Sequence, residues 1–187
     1  MTDNLEDDGE FELHPRTARQ TAERFLALVA VAAQAHQQDT GWVQQHGIDG
    51  FFSMDEKAFF FDTQPAPQEV VNFSWRAEAL CALCWALGGG PGFPALNQRA
   101  DIWGLEMLQQ ALAAPGAFIE RAQLRPAQEI EEMEAHLYQQ HWRVRDAQLF
   151  NKPMPEELCP SIVYERRYAL SWLVGWGDDW DEVPTDT

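Results

Sequence analysis

The segment SWRAEALCALCWALGGG contains the residues whose spacing most resembles a chemical motif. A Cys-x-x-Cys pair serves redox exchange when its first sulfur lies at a helix N-terminus, because the helix dipole there lowers the thiol pKa. Cys81 instead falls well inside a predicted helix. A structural zinc site needs four ligands, and Cys159 is the one cysteine left to join Cys81 and Cys84. The pair is therefore interpreted as buried core cysteines.

Two further patterns could in principle bind a phosphate or a metal ion. The glycines 88–90 follow a predicted helix, whereas a phosphate-binding loop follows a strand and precedes a helix. Glu129, Glu132 and His136 share one helix face, but the acidic run EIEEMEAH is more typical of a solvated helix start. We therefore predict no metal site, no cofactor and no catalytic motif. An enzyme is disfavoured, although Glu78, Glu165 or His141 could act as a general base.

Three predicted helices each carry an arginine in or beside their apolar face, where a solvent-exposed charge is not expected. Arg76 lies in line with the leucines of the helix that contains the cysteines, and Arg145 lies beside an apolar face. Arg166 lies within the apolar stripe of the last helix. Because a buried guanidinium must be paired, nearby carboxylates are expected to neutralise these charges. The candidate residues are Trp75, Arg76, Glu78, His141, Trp142, Arg145, Asp146, Glu165, Arg166, Trp180 and Asp181.

Two interpretations of this set remain open. In the first, it forms an internal ion network that fixes how three helices cross, and the C-terminal Trp180 and Asp181 dock on it as a latch. In the second, the arginines line a pocket with tryptophan walls that accepts a small anionic or planar ligand. Perturbed charges in a cleft are a sign of a functional site, although structural networks resemble them.

Hydrophobic periodicity indicates the elements that position these residues. Apolar residues recur at helical spacing, and no segment alternates with period two. The sequence predicts an all-α, single-domain bundle of about six to eight helices around a central buried helix. Residues 1–15 are predicted to form an acidic N-terminal tail and residues 16–187 the helical domain. Helices are expected at about 16–38, after Thr40, at 57–61, 67–88, from Asn97 to Pro115, 126–150 and 160–176.

The net charge of −17 is unevenly distributed. Eleven of the 30 acidic residues lie in residues 1–12 and 178–187, where no basic residue occurs. This charge disfavours nucleic-acid binding and suits either solvated tails or a basic protein partner. No apolar run is long enough for a membrane span, and three cysteines are too few for a disulfide framework. We therefore expect a cytoplasmic protein without membrane contact, whose oligomeric state the sequence does not indicate.

Four segments resemble the signature blocks of a bacterial family catalogued as domain of unknown function 4272: WRAEALCALCWALG, HWRVRDA, ERRYALSWL and WDEVPTDT. The resemblance spans about residues 72–187, whereas residues 1–66 match only loosely. It implies no activity, substrate or cofactor. It does imply that the candidate residues, apart from His141, fall on the positions that mark the family.

Taken with the charge, these observations favour a binding or interaction module with an acidic surface and an internal network of arginines and carboxylates. A basic protein is the expected partner. The alternative is a binder of small anionic molecules, or an enzyme, that uses the same cluster.

Overall fold

The computed structural model describes residues 13–185, and every regular element within that range is helical. The prediction of an all-α fold is confirmed. Residues 1–12, which hold most of the predicted acidic tail, and Asp186 lie outside the described residues. The α-helices are α1 (Ala18–Ala35), α2 (Gly41–Gln45), α3 (Met54–Phe61), α4 (Pro67–Ser74), α5 (Arg76–Ala86), α6 (Glu106–Ala113), α7 (Pro115–Arg121), α8 (Ala127–Leu149) and α9 (Pro160–Val174). Short 3-10 helices occupy Ile48–Phe51, Ile102–Gly104 and Trp180–Glu182.

Helix α5 is the predicted central helix. It packs against α1 and α9, and α8 packs against α9. Residues 78–86 of α5 are all buried, and so are residues 24–33 of α1. The frequent alanines of both helices let their backbones approach closely, which suits helices that are covered on all sides. Among the described residues, no helix is both long and apolar enough to cross a bilayer.

Several helix boundaries follow from local chemistry as predicted. Ser53 and Glu56 form a capping box at the start of α3. Pro126 directly precedes α8, and Pro160 begins α9. Proline suits a helix start because its missing N–H would have no partner there.

The predicted helix over residues 67–88 is wrong in one respect, because it is divided at Trp75. The backbone N–H of Trp75 bonds to the carbonyl of Asn72, three residues back, which tightens the chain between α4 and α5. Helix α4 buries none of its residues completely, whereas α5 is enclosed. The division lets residues 67–86 supply both a helix at the surface, α4, and a helix in the core, α5.

Asn97 does not cap a helix, contrary to prediction. Its side chain donates to the carbonyl of Glu156 at 3.1 Å. Asp101 instead accepts a hydrogen bond from the N–H of Gly104 and begins a short 3-10 helix. Pro115 starts α7 as a separate helix, because proline lacks the N–H needed to continue α6.

The two cysteines of the Cys-x-x-Cys pair are buried in α5, so their interpretation as core residues is confirmed. Burial raises the pKa of the Cys84 thiol to about 11, which keeps it protonated at neutral pH.

Gly88 ends helix α5 with a φ of +89°. The N–H of Gly88 bonds to the Trp85 carbonyl and that of Gly89 to the Cys84 carbonyl, which satisfies the last turn.

Gly175→Ala is expected to lower the free energy of unfolding by about 2 kcal/mol or more. Gly175 ends α9 with a φ of +110°, and a Cβ there would lie 2.7 Å from the backbone nitrogen of His14. Urea unfolding measures the loss. Gly116→Ala is the matched control, since nothing lies within 4 Å of its added Cβ. Equal stability of the two variants would contradict this close packing of the N-terminal segment on α9.

Candidate functional site

A cleft of about 880 Å³, here called the main cleft, lies between α4, the second half of α8 and the start of α9. Its volume is in the range of small-molecule sites. Five of the residues predicted from sequence line it: Trp75, Arg76, His141, Arg145 and Glu165. The remaining lining residues are Gln68, Val71, Asn72, Val144, Gln148, Pro160, Ser161, Tyr164 and Thr185.

One wall of the main cleft is a single face of α4. Gln68, Val71, Asn72 and Trp75 recur at intervals of three and four residues, so their side chains share that face. The guanidinium of Arg99 lies 4.0 Å from the centre of the Trp75 ring. This cation–π contact fixes the indole at the junction of α4 and α5.

An ion pair at the base of the cleft joins α5 to α9. Arg76 donates to Glu165 at 3.1 Å, and both side chains are largely buried. Burial raises the pKa of the Glu165 carboxyl, an effect that Arg76 partly offsets. Burial is the largest single influence on the pKa of Arg76 and lowers it, but Glu165, Tyr168 and Glu56 together outweigh burial, so the net pKa is raised. The guanidinium therefore stays charged.

Arg166 and Glu78 form a second pair that is enclosed in the interior and does not line the cleft. The Arg166 side chain has no solvent exposure, and its Nε and Nη2 donate to one Glu78 oxygen at 3.1 and 2.8 Å. Its three other N–H bonds go to backbone carbonyls in residues 94–98. The second Glu78 oxygen accepts the N–H of Ala100. Every donor of the guanidinium is satisfied, so this pair anchors the loop that follows α5.

His141 is buried in the cleft wall and is neutral. Its Nδ1 lies 2.6 Å from Nη1 of Arg167. A guanidinium only donates, so Nδ1 accepts and the ring proton must reside on Nε2. Burial, followed by the charges of Arg167 and Arg145, lowers the pKa of His141 to about 4. The imidazole therefore offers one N–H donor and no charge at neutral pH.

The stability of the protein is expected to fall between pH 6.5 and about pH 4 partly because of His141. In that interval the unfolded chain binds a proton at this ring and the folded protein does not, so acidification favours unfolding. At about 1.4 kcal/mol per pKa unit, the contribution is about 3 kcal/mol. Urea titrations at several pH values should show a smaller loss for His141→Gln. His136→Gln, an exposed histidine of the same helix, is the control and should behave like the wild type.

Arg145 differs from the other arginines predicted to belong to the cluster. It is exposed in the cleft wall, and it has no ion pair or hydrogen bond within residues 13–185. Its neighbour Arg143, outside the cleft, pairs with Glu157 at 2.6 Å. Arg145 is therefore not part of an internal network, and it gives the main cleft a positive charge that no described carboxylate neutralises.

Three predicted residues lie elsewhere on the surface. Trp142 is 46% exposed and does not line the cleft. Asp146 is not part of an internal network either, because it pairs with the exposed Lys152 at 2.8 Å. Asp181 accepts the backbone N–H of Asp55 at 3.1 Å and so ties the C-terminal segment to the start of α3.

Trp180 occupies the position that the latch hypothesis requires. It is 1% exposed and its ring contacts those of Tyr168 and Trp172 at centroid distances of 5.1 and 5.5 Å. Guanidinium groups of Arg24 and Arg76 lie 5.0 and 5.9 Å from the ring. The Tyr168 hydroxyl donates to the Trp180 carbonyl. The C-terminal segment is thus packed behind the Arg76 side of the main cleft.

Sequence reasoning missed a third buried pair. Arg24 donates to Glu56 at 2.5 Å and to the carbonyl of Phe51 at 2.6 Å. The same Glu56 oxygen accepts the N–H of Ser53 in the capping box. The available signal was that Arg24 directly precedes the all-apolar run of α1, which places it on a helix covered on every side. Arg167 was also missed; it lies 4.6 Å from the Tyr138 ring.

The possible metal ligands on α8 are engaged in surface contacts. Glu129 pairs with Arg125 at 3.5 Å, and Glu132 accepts the side-chain amide of Gln128 at 2.8 Å. Within residues 13–185, no three histidine, cysteine or carboxylate side chains are close enough to hold a metal ion.

A family model described as Domain of unknown function (DUF4272) matches residues 5–183. The family therefore includes the N-terminal helices, which corrects the expectation that the resemblance begins near residue 72. Comparison with curated proteins and with solved structures gives no match. Because the family model covers nearly the whole chain, the protein belongs to the DUF4272 family.

Proposed function

We propose that the protein binds a small anionic molecule in the main cleft. The observation that carries the proposal is the guanidinium of Arg145 in the cleft wall, which has no ion pair or hydrogen bond among the residues that the structure describes. Arginine presents a planar fork of donors that matches carboxylate and phosphate groups. The neutral His141 lines the same cleft and supplies an additional donor.

Because the protein is acidic overall, a cation without a carboxylate partner is a stronger indication of an anion-binding site. Acidic residues outnumber basic ones by 30 to 13, yet within residues 13–185 no carboxylate pairs with Arg145. An uncompensated cation inside a concave surface creates a local positive potential, which draws small anions despite the negative charge of the whole protein. The paired Arg76 at the base of the cleft contributes little to that potential because Glu165 neutralises it.

Binding is a better proposal than catalysis. The carboxylate of Glu165 is held by Arg76, and the acceptor nitrogen of His141 is used by Arg167. Neither group is therefore available to activate a nucleophile such as the Ser161 hydroxyl, which lines the same cleft.

Arg145→Ala is expected to weaken anion binding about 10- to 100-fold, since a charge-assisted hydrogen bond contributes about 1.5–3 kcal/mol. Isothermal titration calorimetry with inorganic phosphate and with acetate measures the change. The free energy of unfolding should stay within about 0.5 kcal/mol, because the side chain is exposed. Arg143→Ala removes an equal charge from the same helix outside the cleft and should leave binding nearly intact. Equal losses in both variants would mean that the effect is general electrostatics, which would contradict the proposal.

A second candidate function is an interaction module of the cytoplasm that binds a basic protein. The concentration of eleven acidic residues in residues 1–12 and 178–187 favours it. Replacing the six acids of residues 1–12 by their amides should then reduce retention of a basic partner on the immobilised protein at low ionic strength. This candidate is abandoned if no basic protein is retained at low salt by the unaltered chain.

A further inference from the structure

We infer that the ligand of the main cleft carries a planar ring attached to its oxyanion, as in an aryl carboxylate or an aryl phosphate. This inference rests on the proposed anion-binding function and adds the chemical class of the ligand. The observation behind it is that the residues able to bind an anion, Arg145 and His141, share the cleft with the aromatic side chains of Tyr164 and Trp75.

The oxyanion end is formed where α8 and α9 lie side by side. Glu134 contacts Ser171 and His141 contacts Arg167, so the two helices run antiparallel. The start of α9 therefore lies beside the second half of α8, where Arg145 is located. Both Pro160 and Ser161 of the first turn line the cleft, and no side chain caps that helix. Its partial positive charge adds to the guanidinium.

The aromatic end is formed by Tyr164 and Trp75, which line the same cleft. Tyr164 is 36% exposed, and its ring meets that of His141 edge to face with centroids 5.9 Å apart. The imidazole that offers an N–H donor is thus in contact with an aromatic side chain. A ligand whose oxyanion reaches Arg145 and His141 has its attached group beside Tyr164. The fixed indole of Trp75 adds an aromatic surface to the same cleft.

Calorimetric titration of the full chain with matched pairs of probes tests this inference. We expect phenyl phosphate to bind about tenfold more tightly than inorganic phosphate, or benzoate about tenfold more tightly than acetate, because of ring stacking. Whichever of phenyl phosphate and benzoate binds more tightly identifies the oxyanion of the ligand as phosphate or carboxylate. Benzyl alcohol, which has the ring and no charge, should bind far more weakly than the preferred aryl anion.

The outcomes separate the two proposals. If anions bind but the ring adds no affinity, the inference is overturned while the proposed function stands. If none of the four anions binds, both are overturned. Tyr164→Leu and Trp75→Leu should each reduce the ratio of the affinity for the aryl anion to the affinity for its ringless counterpart. Trp142→Leu is the control, since that tryptophan lies outside the cleft. Should Trp75→Leu not fold, Tyr164→Leu decides the question, and an undiminished ring gain in it overturns the inference.

Discussion

Arg166→Met is expected to lower the free energy of unfolding by about 3–5 kcal/mol, because it leaves the buried Glu78 carboxylate without its cation. It also removes the three hydrogen bonds to carbonyls in residues 94–98. Urea unfolding at neutral pH, followed by circular dichroism, measures the loss. Arg143→Met is the matched control: its ion pair is exposed, so its loss should cost less than about 1 kcal/mol.

A double variant tests the cause of that loss. Arg166→Met combined with Glu78→Gln removes both buried charges and keeps an acceptor for the Ala100 N–H. The double variant should be more stable than the sum of the two single losses predicts, since each single change leaves one unpaired buried charge. Strict additivity, or a loss below about 1 kcal/mol for Arg166→Met, would show that the pair does not anchor the loop.

Trp180→Ala is expected to cost about 3–5 kcal/mol, since it leaves a cavity among Tyr168, Trp172 and two guanidinium groups. Thermal and urea unfolding both measure this change. Trp142→Ala, which truncates a tryptophan that is 46% exposed, should cost much less. Similar losses in the two variants would contradict the docking of the C-terminal segment.

The Trp180 variant also connects the fold to the main cleft. Arg76 contacts both the Trp180 ring and the Glu165 carboxylate. Loss of the indole removes one of the surfaces that hold Arg76, and Arg76 with Glu165 forms the base of the cleft. A shifted base changes the shape of the cleft, so anion binding should weaken as well, although Trp180 does not line the cleft. Replacement of Arg166 or of Glu78 should, by contrast, lower the stability of the protein far more than it lowers the affinity for anions.

The arginines and carboxylates thus divide into two sets. Arg166 with Glu78, and Arg24 with Glu56, are enclosed pairs whose role is to hold loops and helices in place. Arg145 is a cation of the cleft wall that has no ion pair within residues 13–185. Arg76 with Glu165 belongs to both regions, since the pair joins two helices and forms the base of the cleft. The buried pair of Arg166 and Glu78 therefore fits the structural interpretation, whereas Arg145 belongs to the cleft for which we propose ligand binding.

The sequence by itself determined the helical elements and many of their ends. The periodicity of the apolar residues involves only residues that are close together in sequence. The same is true of the capping box of Ser53 and Glu56. The burial of Cys81 and Cys84 could be predicted for the same reason. The need for a partner at Arg166 could also be predicted, because its position in an apolar stripe makes an unpaired charge too costly.

Only the tertiary structure decided which charges meet. Glu78 and Arg166 are 88 residues apart, and Arg24 and Glu56 are 32 apart. Such pairs depend on how helices cross and on their rotation about their axes, which local patterns do not specify. The same holds for Arg145, whose position on α8 looks similar in sequence to that of Arg143. Each residue corresponds to about 100° of helix rotation, so these two positions, two residues apart, point about 200° apart. That rotation separates an arginine in the cleft from one that is paired on the surface.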